Sequence, residues 1–130
     1  MSKETPTLRT PVAKIRYLGS ARSGTQHNNY MRLTSIALLP LTIAFVVMML
    51  SLVGKDYNQA HAYLAHPVPS ILMLLFLAAG VFHMQLGVRT IIEDYVHDRH
   101  LKEWSLMANL FFCIAVGLAC IYAVLRIGFA

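Results

Sequence analysis

Charge is what this sequence lacks over most of its length. No Asp, Glu, Lys or Arg occurs in residues 33–54, 57–88 or 104–125. Charged residues make up 13% of the 130 positions and hydrophobic ones 57%, where a soluble domain carries roughly 25% charged. A helix crossing the hydrocarbon core needs about 20 mostly apolar residues, and each gap is long enough for one crossing. A soluble domain of this size with three such runs would have no surface left to face water. Cysteine is scarce as well, with Cys113 and Cys120 both in the third gap. On one helix they stand ~10 Å apart along the axis, too far for a disulfide, and the spacing is not a zinc pattern. Residues 1–24 lack the apolar core and small-residue cleavage site of a signal peptide. Their Arg and Ser content is compatible with a mitochondrial transit peptide, but cleavage is not expected. There is no internal repeat, no phosphate loop and no recognisable Ser/His/Asp set.

The charges that are present are unevenly placed. Residues 1–32 carry Lys3, Arg9, Lys14, Arg16, Arg22 and Arg32 against one acid, Glu4. The segment 89–103 adds Arg89, Arg99 and Lys102, whereas the opposite side has only Lys55 and Arg126. The positive-inside rule then puts the N-terminus in the cytoplasm and the C-terminus outside. The net charge of +5 is thus an orientation signal, and nucleic acid is not an expected partner. The expected class is all-α: a basic cytoplasmic tail over 1–30 and a three-helix, up-down-up membrane anchor over 31–128. The spans fall at about 31–53, 68–92 and 104–127. Pro40 should bend the first, Gly54 closes it, and Pro67 and Pro69 open the second. Two small-residue rows on the third, Ala115/Ala119/Ala123 and Cys113/Gly117, suit close helix contact in lipid.

His83 is the one histidine deep inside a span. It lies about nine residues, or ~13 Å, from the cytoplasmic end of its helix. Ionisable residues at that depth are uncommon and usually functional. Gly87, Thr90 and Asp94 fall within about 40° of it around the helix axis, and Ala79 and Gly80 precede it. Small residues a turn above and below an imidazole leave room for a flat macrocycle, which is what an axial haem ligand needs. The competing reading is a histidine that hydrogen-bonds a neighbouring helix, with the glycines serving packing alone. No second histidine shares this depth: His66 is roughly 25 Å along the helix, and His97 and His100 lie beyond the cytoplasmic end. A second haem ligand would have to come from another subunit. At the membrane edge stand Arg89, Glu93, Asp94 and Tyr95. A phenol and a carboxylate there can hydrogen-bond a quinone carbonyl and relay protons, or simply reach headgroups as an interface belt. Arg32 opens the first span, with His27 five residues earlier; it can pair with a haem propionate or act as a positive-inside anchor.

The run His83-Met-Gln-Leu-Gly87-Val-Arg89-Thr-Ile-Ile-Glu-Asp94-Tyr95-Val96 resembles the signature of the small membrane-anchor (cytochrome b) subunit of succinate dehydrogenase, respiratory complex II. That family has a histidine, a glycine four residues on, and Asp-Tyr eleven and twelve residues on. It also has three spans, a cytoplasmic or matrix-side N-terminus, and an Arg-x-Thr where the first span begins, here Arg32-Leu-Thr34. The resemblance extends from about Gly19 to the end. It implies His83 as an axial ligand of haem b, Tyr95 as a hydrogen-bond partner of ubiquinone with Asp94 beside it, and Arg32 near the haem propionates and the quinone pocket. It further implies a second cytochrome b membrane subunit, an iron–sulfur subunit and a flavoprotein subunit as partners in a bacterial inner membrane. The larger cytochrome subunit of the same complex usually continues its His-xxx-Gly-x-Arg pattern with a further His; here Thr90 follows Arg89, which favours the small subunit. From a different class, the alternative is a haem-free structural, proton-relay or transport subunit of another membrane complex; a fumarate reductase anchor is a nearer one.

The charge asymmetry makes a topological prediction. Alkaline phosphatase fused after Ala130 should be active in the periplasm, and the same reporter fused after Asp98 should be inactive. The reverse pattern would invert the orientation.

Overall fold

The computed structural model describes residues 22–129, with side chains from Gln26 onward. Of the basic tail expected over 1–30, residues 1–21 lie outside the described residues, and 22–30 are helical rather than irregular. Four helices follow in order: α1 (Arg22–Leu52), α2 (Tyr57–Ala65), α3 (Pro67–Tyr95) and α4 (Arg99–Phe129). Three of them, over Gln26–Leu52, Pro67–Tyr95 and Arg99–Phe129, are long and apolar enough to cross a membrane. The architecture is the expected all-α bundle with three candidate spans.

Both outer long helices begin earlier than the apolar runs do. α1 starts at Arg22 and α4 at Arg99, because absence of charge marks the hydrocarbon and not the helix. Asp98 explains the start of α4: its carboxylate accepts from the Leu101 N–H at 2.8 Å, a capping bond that satisfies an orphan donor of the first turn. α1 continues unbroken through Pro40. Past its end, Gly54 takes φ +80°, a region that residues with a Cβ avoid. This lets the Lys55 N–H reach the Leu52 carbonyl at 3.1 Å.

The segment expected to be a plain loop, 54–67, contains the short helix α2. Its N-cap is Asp56, whose carboxylate accepts from the Gln59 N–H at 2.8 Å. Asp56-Tyr-Asn-Gln59 has the spacing of a capping box, a signal present in the sequence. α3 then opens with proline in its first turn, where the missing N–H would have had no partner anyway. At its other end the Lys102 ammonium donates to the Glu93 carbonyl at 2.7 Å, filling a free acceptor of the last turn.

α3 is the central helix: α1 packs on one side of it and α4 on the other, while α2 lies against α3 and α4. The α1–α3 seam holds a stacked pair, Phe45–Phe76, at 4.5 Å between ring centres, an edge-on pair, Tyr30–Phe82, and the buried Met48 and Leu86. In the α3–α4 seam, buried Asn109 donates to the Gln85 carbonyl at 3.0 Å, and the Cys113 thiol donates to the Asn109 side-chain oxygen at 3.5 Å. Of the two small-residue rows on α4, the one with Cys113 and Gly117 makes this contact, and Ala115, Ala119 and Ala123 face outward. Only 11, 6 and 11% of the three apolar windows is buried within the chain. The remaining apolar surface needs lipid or protein partners to cover it.

A Cβ at Gly117 would meet Val81 Cγ1 at 3.6 Å, an ordinary contact. Gly117→Ala should therefore leave thermal stability of the detergent-solubilised assembly nearly unchanged. Gly117→Leu should overpack the seam at a cost of about 1–3 kcal/mol, read as a lowered Tm.

Candidate functional site

The face of α3 that carries His83, Gly87 and Thr90 turns toward α1. Thr34 and His27 on α1 meet it in two rungs. The Thr34 hydroxyl lies 2.9 Å from His83 Nδ1, and His27 Nε2 lies 2.9 Å from the Thr90 hydroxyl. Each helix advances seven residues between rungs, or ~10 Å, so the two bonds fix one antiparallel register. Between them Met31 sits against Gly87, where a Cβ would be 3.9 Å from Met31 Cε. The polar rungs and the glycine contact therefore belong to the same seam.

His83 is partly buried. Its Nδ1 is taken by Thr34, and its Nε2 has no hydrogen bond among the described residues. Gly80, one turn before it, has nothing within 4 Å of a Cβ position. Thus the two glycines differ: Gly87 serves helix packing, and Gly80 borders open space. The groove on the other side of α3, lined by Val81, Phe82, Gln85 and residues of α4, does not include His83. A nitrogen with no hydrogen bond among the described residues, one turn from an uncrowded glycine, fits the donor chemistry of haem iron.

His27 is placed by the same geometry. It stands level with Thr90, ~10 Å along the axis from His83, and its Nε2 is engaged. It is a rung of the seam, and nothing in its position brings it to His83.

The edge residues are separate from this pair. Tyr95 is the last residue of α3, twelve residues or ~18 Å beyond His83. It is 76% exposed, and its phenol makes no hydrogen bond among the described residues; its carbonyl accepts from His97 Nδ1 at 3.0 Å. Asp94 beside it is exposed and has no ion pair among the described residues. Arg89 is tied to Glu93 at 2.7 Å, an exposed i,i+4 pair of small energetic weight. Arg32 is exposed. Two residues, or about 200° of helix, separate it from Thr34, so it lies on the face of α1 away from α3. The structure joins His83 to Thr34 and does not bring Arg32 or the Asp94–Tyr95 pair to them.

Comparison with known proteins bears on this arrangement as a whole. Residues 6–122 match the family model described as succinate dehydrogenase/fumarate reductase transmembrane subunit. The chain belongs to that family. It is similar to the succinate dehydrogenase hydrophobic membrane anchor subunit of Paracoccus denitrificans, 34% identical over 92% of this chain and 92% of the relative. The corresponding subunit of Rickettsia bellii is 29% identical over 89% of this chain and 93% of its own length. That of Rickettsia conorii is 27% identical over 86% and 90%. No solved structure gives a significant match. The chain is thus a membrane anchor of the succinate dehydrogenase complex, as its His-to-Asp-Tyr run suggested.

Two contacts of the seam, Thr34–His83 and His27–Thr90, lie outside the sequence expectations. In the sequence Thr34 stands out only beside Arg32, just inside the first span, and Thr90 only as a neighbour of His83 on a helical face. The available signal was their spacing: His27 and Thr34 are seven residues apart, and so are His83 and Thr90, which puts each pair on one stripe.

Proposed function

We propose that this anchor ligates haem b through His83 and, with a second membrane subunit, forms the site where ubiquinone is reduced with electrons from succinate oxidation. The observation that carries the reading is His83 itself: an imidazole in the middle of a span, tied at Nδ1 to Thr34, with no hydrogen bond at its other nitrogen among the described residues and open space at Gly80 one turn before it. Packing alone would account for the hydrogen bond. It would not account for a histidine in hydrocarbon, where an ionisable side chain is costly and an aliphatic one would pack as well. A second histidine ligand would come from the partner subunit, since His27 is engaged at another depth. When bound, haem b supplies a one-electron carrier within the membrane.

Quinone chemistry belongs at the C-terminal end of α3. The Tyr95 phenol donates a hydrogen bond to a quinone carbonyl and polarises it. Asp94 orients that phenol or passes a proton to the reduced ring, whose reduction takes two electrons and two protons. Arg32, on the outer face of α1, supplies positive charge to haem propionates or to the quinone pocket when the partner closes over that face. Succinate is oxidised in a flavoprotein subunit and its electrons reach the membrane through an iron–sulfur subunit, so this chain has no activity alone. The complex sits in a bacterial cytoplasmic membrane with the Asp94–Tyr95 edge on the cytoplasmic side.

Two substitutions test these roles in the purified complex. His83→Ala should abolish the bis-histidine haem signal in a reduced-minus-oxidised spectrum, and an unchanged spectrum would refute the ligand assignment. Tyr95→Phe should lower quinone reduction by about 100- to 1,000-fold, the scale of removing one hydrogen-bond donor from a developing oxyanion, while dye-linked succinate oxidation persists. Unimpaired quinone reduction would remove Tyr95 from the site.

A further inference from the structure

Thr34 has one hydroxyl proton and three neighbours. The Tyr30 carbonyl lies at 2.9 Å, the Met31 carbonyl at 3.0 Å and His83 Nδ1 at 2.9 Å. A helical threonine habitually gives its hydroxyl proton to a carbonyl of the preceding turn, and both carbonyls within reach here can only accept. The Met31 carbonyl already receives the Ser35 hydroxyl at 2.8 Å, which leaves the Tyr30 carbonyl as the freer acceptor. The Thr34 oxygen then faces His83 with a lone pair, and the proton of that bond must come from Nδ1. A neutral imidazole protonated at Nδ1 carries its free lone pair on Nε2.

The second rung repeats the device. The Thr90 hydroxyl donates to the Leu86 carbonyl at 3.1 Å and so accepts from His27 Nε2. This bond lies in register with the first and keeps Thr34 opposite His83.

Resting on the haem reading above, we infer that Thr34 is the positioning residue of the haem ligand: its oxygen holds His83 in the Nδ1–H tautomer and aims the Nε2 lone pair away from α1, toward the iron. An acceptor on the far nitrogen of a metal-bound histidine also raises the ligand's basicity. A more basic ligand favours the ferric state, so Thr34 lowers the haem midpoint potential. The side chain touches neither iron nor quinone and acts only through His83.

The test compares Thr34→Val and Thr34→Ser in the assembled complex, with dye-linked succinate oxidation reporting assembly. Valine keeps the shape and removes the acceptor; serine keeps the acceptor. Thr34→Val should raise the haem midpoint potential and shift the low-spin electron paramagnetic resonance signal, or lose the haem, and Thr34→Ser should restore the wild-type values. Should Thr34→Val not assemble, Thr34→Ala gives the same readout. Unaltered haem content, signal and potential without the hydroxyl would overturn the inference, and so would a serine variant that fails to restore them. His83→Ala separates the two levels of the argument. If it retains bis-histidine haem, the haem reading itself has failed; if it loses that haem while Thr34→Val changes nothing, only the role of Thr34 has.

Discussion

A polar side chain inside hydrocarbon has no water to bond and must find its partner in the protein. In this bundle every side-chain hydrogen bond between helices, among the described residues, has α3 as one partner. Thr34 and His27 reach it from α1, and Asn109 and Lys102 reach it from α4. Such bonds are individually modest in membranes, averaging about 0.6 kcal/mol. Their larger effect is on register. Apolar seams between helices can slide, because one methyl replaces another at little cost, whereas a slip of one turn would strand an imidazole or an amide without a partner. The polar contacts therefore fix where α1 and α4 lie along α3, and the depth of every functional residue follows from that.

The sequence made the spans legible through its charge gaps, since a charged residue in the hydrocarbon is costly. It did not make the helix ends legible in the same way. Residues 22–30 and 99–103 are polar and still helical, because outside the hydrocarbon a helix tolerates charge. Small residues also did not declare their role by size. Ala115/Ala119/Ala123 and Cys113/Gly117 look equally suited to close contact, yet only the second row packs within the chain. Asn109 lies one turn before Cys113 and is buried. A buried amide on one row was the mark of the side facing protein.

The candidate site divides along the same line. Helical periodicity alone put His83, Gly87 and Thr90 on one face, and that face is the α1 seam. It could not name the residues opposite, because pairing between two helices depends on their relative shift, which no single helix encodes. The pairing of Thr34 with His83 and of His27 with Thr90 follows from where α1 lies along α3. Arg32 shows the reverse effect. The resemblance implies that it lies near the haem propionates and the quinone pocket, but about 200° of helix separates it from Thr34 and turns it to the outer face, where it has no ion pair among the described residues.

Depth then assigns the chemistry proposed for α3. Reducing a quinone consumes two protons, so its carbonyls need a route to water. Tyr95 and Asp94 stand at the helix end and are exposed. A haem ligand has the opposite need: its nitrogen must stay unprotonated and its donor strength constant, which favours a site away from water and braced by a neighbour. His83 is ~18 Å deeper along the axis and is braced by Thr34. Exchanging the two positions would work badly in both places, with a phenol cut off from protons and an imidazole open to them. In this proposal proton access is needed at the cytoplasmic end of α3 and excluded at its middle. A single helix can serve both functions because twelve residues, ~18 Å along the axis, separate the two positions.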